Sequence, residues 1–382
     1  MSVSYGIDRG STVRSKLGFA RAGLRTLAAI AVGIIALTWS EDSAAQTAYI
    51  SNFDSGTVSV VDVATNTVST TIPVGFGPLG VAVSADGTRV YVGNEAADSV
   101  SVIDAATDTV VDTISVGDSP RAVAVSPDGS RVYVTNNSDN SVSVIDTTSN
   151  TVVDTIAVGN GARGVAVTAD GAFVYVINSS DNDLDVIDTA TNTIVDTITF
   201  VNSPFGVTVS PVGDRAYVSL SNSGEVAVID TTTHTVLTLV DTFLESYGIA
   251  VSPDGSTVYL ANFVADSVTV IDTATNTVVT AVGVGDAPFG ISVSPSGDVV
   301  YVANRLSDNV SVIDTATNTV ADTVTVGDNP GAYGQFIGGA AAPPPPPPPA
   351  VVPTMTEWAM ILLGLALAGG ATLTIRRRRF VP

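Results

Sequence analysis

Residues 121–162 read RAVAVSPDGSRVYVTNNSDNSVSVIDTTSNTVVDTIAVGNGA. From Ala122 to Ser126, small and branched side chains alternate, and Pro127-Asp128-Gly129 ends the run with turn-forming residues. Arg131 to Thr135 alternates again, Val132 and Val134 on one face and Tyr133 on the other. A polar loop, Asn136 to Asn140, leads to a third run at Val142–Ile145. Asp146 to Asn150 turns the chain, Val152–Val158 forms a fourth run, and Gly159–Ala162 crosses onward. Four runs of about five residues with period two and short turns predict four antiparallel strands.

The unit recurs at a 42-residue step without insertion. Its aspartates are Asp62, Asp104, Asp146, Asp188, Asp230, Asp272 and Asp314, and its tyrosines Tyr49, Tyr91, Tyr133, Tyr175, Tyr217, Tyr259 and Tyr301. An all-strand repeat of about 40–50 residues is the mark of a β-propeller, one blade per repeat. Gly87, Gly129, Gly171, Gly213, Gly255, Gly297 and Gly339 keep the same step and are expected to give the positive φ of a two-residue hairpin. An aspartate present in every blade at a strand end reads as an acceptor for turn amides, not as a catalytic set. The first repeat starts out of phase: Thr47–Ser51 aligns with a second strand, while Ala332–Ile337 aligns with a first strand and has no others after it. The expectation is an all-β, seven-bladed propeller of four-stranded antiparallel blades with 28 strands. Its ring is closed by three strands from the N-terminal side and one from the C-terminal side, leaving no free edge, and the propeller is monomeric.

Tyr133-Val134-Thr135-Asn136 spells YVTN, and other copies read YVGN, YVIN, YLAN and YVAN; the fifth departs with Tyr217-Val218-Ser219-Leu220. The chain resembles the YVTN-type propeller repeat proteins over all seven repeats. That likeness implies the fold and a surface or secreted setting, and says little about chemistry.

Composition narrows the chemistry further. The 382-residue chain has no cysteine and one histidine, His234, which excludes disulfides, thiolates and multi-histidine metal sites. Residues 46–342 carry six arginines, no lysine and 33 acidic residues, a net charge of −27. Such a surface repels nucleic acid and suits solubility outside the cell. Residues 1–45 read as a signal peptide: five basic residues, the apolar run Leu27–Trp39, and Ser43-Ala44-Ala45 at the cleavage point. The propeller occupies 46–339, and a Pro-rich linker 340–351. Seven prolines, Pro343–Pro349, make that linker a stiff spacer of roughly 20 Å. Residues 352–382 hold Val352-Pro353-Thr354-Met355-Thr356-Glu357-Trp358, an apolar stretch from Ala359 to Ile375 long enough for a transmembrane helix, and Arg376-Arg377-Arg378-Arg379. This tail resembles the IPTL-type C-terminal sorting domain of Gram-negative bacteria. Pro353, Thr354, Glu357 and Trp358 match, while Val352, Met355 and Thr356 depart. The likeness implies recognition by an exosortase-like protease, membrane attachment through the helix before processing, and delivery to the cell envelope, surface or exterior.

The residue before each innermost strand is expected at the mouth of the central channel: Leu79, Arg121, Arg163, Phe205, Tyr247, Phe289 and Gly331. Two neighbouring arginines and three neighbouring aromatics, Arg121 and Arg163 with Phe205, Tyr247 and Phe289, make the candidate ligand site, suited to a small anion, a saccharide or a partner's side chains. The alternating Asp181, Asp183 and Asp185 are a weak calcium candidate. No cofactor is expected. His234 is expected exposed in a hairpin, and Asn136-Asn137-Ser138 and Asn178-Ser179-Ser180 match glycosylation sequons. The function expected is a non-catalytic binding scaffold for an extracellular protein or glycan. A lactonase-like enzyme, which the repeat also resembles, and a structural component of a matrix or surface layer are the alternatives.

Overall fold

A computed structural model describes residues 46–242 and 245–339; the signal peptide, the Pro-rich linker and the sorting tail lie outside the described residues. The alternating runs become seven four-stranded antiparallel sheets, each ordered from the channel outward. In blade three the strands are Pro120–Val125, Arg131–Asn136, Ser141–Asp146 and Thr151–Ala157. The described residues hold 28 strands and one short 3₁₀ turn, Glu95–Ala97. None of them lies in a helix long and apolar enough to cross a membrane.

Blades stack face to face, so the two middle strands of each are covered on both sides. This is why both Tyr133 and its neighbours Val132 and Val134 are buried. Tyr91, Val100 and Val102 of blade two pack on Val123, Val132, Val134 and Ile145 of blade three. The core is therefore a set of interfaces between blades. The outermost strands face water: along Thr151–Ala157 only Ile156 is buried.

Polar residues that repeat have structural work. Each repeated aspartate accepts from the amides of the turn after it, as Asp146 does from Thr148 and Ser149 at 3.1 and 3.0 Å. The PDGS-type turn spans four residues, not two: Gly129 N–H donates to Ser126 O, and Gly129 takes the positive φ of +71°. Gly339, expected to share that role, is not among the positive-φ glycines. An asparagine ends the second strand in every blade but the fifth; it is fully buried and donates to two side-chain oxygens of the third strand, as Asn136 does to the Ser141 and Ser143 hydroxyls. Asn136 and Asn178 of the two sequons are thus core residues and closed to glycosylation.

Ring closure follows the expected strand sharing, with one correction. The final strand completes blade one in the order last, first, second, third. It is only Ile337–Gly338, however, paired with Ala48 and Thr47. Pro330 still pairs with Asn52, as the corresponding prolines of other blades pair, but residues 331–336 then lose that register, and Ala332 and Gly334 take positive φ values of 41° and 124°. Tyr333 N–H donates to Leu79 O, Val81 N–H to Tyr333 O, and Val83 N–H to Gln335 O. The closing segment is thus a strap, parallel to the innermost strand of blade two and sewn to it, and displaced toward the channel.

Candidate channel-mouth site

In blade three the pairing of the innermost strand slips by one residue near its start: Pro120 faces Asn136, yet Val123 faces Val134. The same slip occurs in blades two, four, five and seven. The extra residue makes a β-bulge, which re-aims a side chain. Leu79, Arg121, Arg163, Phe205, Tyr247 and Phe289 all line one cavity of about 380 Å3 at the channel mouth. A glycine follows in most blades because adjacent backbones nearly touch there. A Cβ on Gly290 would stand 2.0 Å from Ala332 O, and one on Gly248 2.1 Å from Phe289 O.

The six expected positions are brought together. The seventh, Gly331, lies under Leu79, whose Cδ1 would be 2.7 Å from an added Cβ. Phe205 and Tyr247 stack at 4.2 Å, and Phe289 stands 5.8 Å from each. The Arg163 guanidinium lies over the Phe205 ring at 4.7 Å. Among the described residues its side chain has no hydrogen-bond or ion-pair partner, and its Nε is buried. Burial, and then the charge of Arg121, hold the Arg163 pKa below its ordinary value.

Four further lining residues were not expected: Phe53, Glu95, Phe263 and Arg305. Arg121 Nη2 donates to Glu95 Oε1 at 2.7 Å, leaving its own Nε unpartnered. Arg305 lies over Phe289 at 4.8 Å and near Phe53 at 5.7 Å, and its Nε donates to Asn329 Oδ1 at 2.6 Å. Each of these four immediately follows the buried residue that ends a second strand. Across the seven repeats that position reads Phe53, Glu95, Asn137, Ser179, Ser221, Phe263 and Arg305. Its variability in an otherwise uniform repeat was the available signal.

The floor comes from the strap. Tyr333 is buried, its ring 5.7 Å from Phe289 and 6.0 Å from Phe205, and its hydroxyl donates to Phe205 O at 2.9 Å. It divides this cavity from a second one of about 300 Å3, lined by Val125, Val167, Val209 and Gln335 on the opposite side. Burial raises the Tyr333 pKa, so the phenol stays protonated.

The other candidates do not gather into a site. Asp181 accepts from Asn160, Asp183 from Asn178, and Asp185 is buried with Gly159, Asn178 and Thr197 donating to it. Among the described residues no three His, Asp or Glu side chains could hold a metal ion together. His234, expected exposed, is tucked against Phe173 with ring centroids 4.9 Å apart, and its side chain is 13% exposed. The asparagine slot it fills lies against the preceding blade.

A family model for a YNCE-like beta-propeller matches residues 25–130 and 50–173, and one for a seven-bladed lactonase propeller matches 155–330. The IPTL-CTERM motif matches 350–379, which marks the chain as one addressed for export. The comparison with curated proteins gives no match. Among solved structures, hydrazine synthase of Kuenenia stuttgartiensis superposes with a TM-score of 0.65 at 28% identity, over 70% of this chain and 92% of that one. A functionally unknown protein of Desulfotomaculum acetoxidans DSM 771 gives 0.66 at 18% identity, over 75% and 99%. Dihydro-heme d1 dehydrogenase NirN gives 0.57 at 15%, over 74% of each. The last two likenesses are of fold alone.

Proposed function

We propose that this seven-bladed β-propeller, which ends in an IPTL-CTERM motif, serves outside the cytoplasm of a Gram-negative bacterium as a binding module, with the channel mouth as its binding face. One observation carries the reading. Three of the six arginines in the described residues converge on a single closed-bottomed cavity of a propeller that is otherwise acidic and nearly uniform. The half-buried side chain of one of them, Arg163, has no hydrogen-bond partner among the described residues, and its Nε is buried. A buried unpaired nitrogen on a charged group costs stability, and such a cost is kept where a ligand completes the site. The only carboxylate lining the cavity is Glu95, and its charge is engaged by Arg121. No free base is positioned to activate water, which supports binding over turnover.

The lactonase-like match over 155–330 favours a second reading, hydrolysis of a small cyclic ester. Wild type and Arg163→Ala should be screened together, by thermal shift and for turnover, against small acids, lactones, sugars and calcium. A stabilising compound that is not consumed and that loses its effect in the variant is the expected result. Turnover of a lactone that depends on Arg163 would replace the binding module with a hydrolase. A partner engaged after export, and processing by an exosortase-like protease, belong to the same proposal.

A further inference from the structure

Resting on the channel mouth as the binding face, we infer that its ligand is a small planar acid: an aromatic ring bearing one carboxylate or phosphate. The lining is chemically one-sided. It holds five aromatic rings, one leucine, three arginines and a single, already paired carboxylate. A saccharide needs acceptors as well as donors for its hydroxyls. The acceptors here are Glu95, engaged by Arg121, and the Tyr247 hydroxyl, which donates to Glu245 Oε1 at 3.2 Å. A cation would meet three guanidinium groups. An anion instead finds the Arg163 guanidinium, which lies over Phe205 with its Nε unpartnered and whose pKa is lowered by burial and then by the charge of nearby Arg121; a negative group there relieves that repulsion. The body of such a ligand meets the apolar lining made by Phe205, Tyr247 and Phe289, which pack against one another at the mouth. Tyr333 closes the bottom, so an extended chain cannot thread through, and a cavity of about 380 Å3 suits a compound at the small end of the ligand range.

The test is calorimetric titration of the full chain with 4-hydroxybenzoate and phenyl phosphate, beside benzamide, acetate and inorganic phosphate. The aryl acids should bind, and the neutral amide and the ring-free anions should bind at least roughly tenfold more weakly. Arg163→Ala should weaken the aryl acids by roughly tenfold or more, and Arg163→Lys should restore only part, since an ammonium keeps the charge and loses the planar fork. Unchanged melting of both variants guards against misfolding. Equal binding of benzamide would overturn the acid, and equal binding of acetate the ring. If no aryl acid binds but a sugar or lactone binds in an Arg163-dependent way, this inference fails and the mouth keeps its role. If nothing binds and Arg163 variants are indifferent to every probe, both fall.

Discussion

At the scale of single residues, the repeat shows where a side chain is demanded and where one is forbidden. Gly290, whose position holds alanine in two repeats, and Gly129, whose position holds glycine in every repeat, are glycines for different reasons: the first has a neighbouring carbonyl where a Cβ would go, the second has open space and a φ of +71°. Gly129→Ala should cost about 1 kcal/mol, and Gly290→Ala roughly 2–4 kcal/mol, because the blades must part. Chemical denaturation of both checks the order, and equal costs would refute the close-approach argument. Asp185 fills a slot that Ser59, Ser101 and Ser143 fill in other blades. Asp185→Ser should therefore be mild, while Asp185→Leu should lose more than about 2 kcal/mol by stranding three donors. Blade five varies the same slot as a set. Leu220 replaces the buried asparagine and Ala227 its hydroxyl partner, both buried, while Val201 stands exposed at the position of the crossing glycine. The fifth departure from YVTN thus exchanges a buried polar pair for an apolar one, visible in sequence only once those two positions are known to correspond.

At the scale of elements, strands and their order were legible because period two, turn residues and a fixed step all agree on Pro120–Val125 and its counterparts. The first ring of mouth residues was legible by the same token. The second ring was missed because Phe53, Glu95, Phe263 and Arg305 lie in loops, where no periodicity says which way a side chain points. Tyr333 was missed for a different reason: the strap abandons the repeat's register after Pro330, so alignment to other blades placed residues 332–337 in a strand they mostly do not form. Truncation after Pro330 should remove the final strand, the cavity floor and the bonds to blade two, lowering the melting temperature by more than about 10 °C. An unchanged melt would refute closure by this segment. Tyr333→Phe should lose about 1 kcal/mol, the value of the bond to Phe205 O, without opening the ring.

For the molecule as a whole, charge and burial set its tolerance of pH. Hydroxyls at Ser126, Thr168 and Ser252, with turn amides, hold Asp128, Asp170 and Asp254 below the ordinary 3.8, Asp128 to about 2. A depressed folded pKa stabilises above 3.8, and that contribution is lost as pH falls through 3.8 toward 2. Burial pushes Tyr49 up to about 12 from 10.0, so its contribution is complete below 10 and lost as pH rises from 10 toward 12. Melting temperatures should hold between these limits and fall on both sides; a flat profile down to pH 2 would refute the lower one. The net charge of −27 over residues 46–342 adds self-repulsion at neutral pH, so added salt should raise the melting temperature there. The strap has one more consequence. Whatever is joined to the chain beyond Gly339 pulls first on Ile337–Gly338, held by two paired residues, and next on the segment carrying Tyr333. Mechanical load at that end and occupancy of the mouth therefore act on one short piece of backbone. A tug that frees it drops the floor from the cavity, and a ligand resting on that floor raises the force needed to free it.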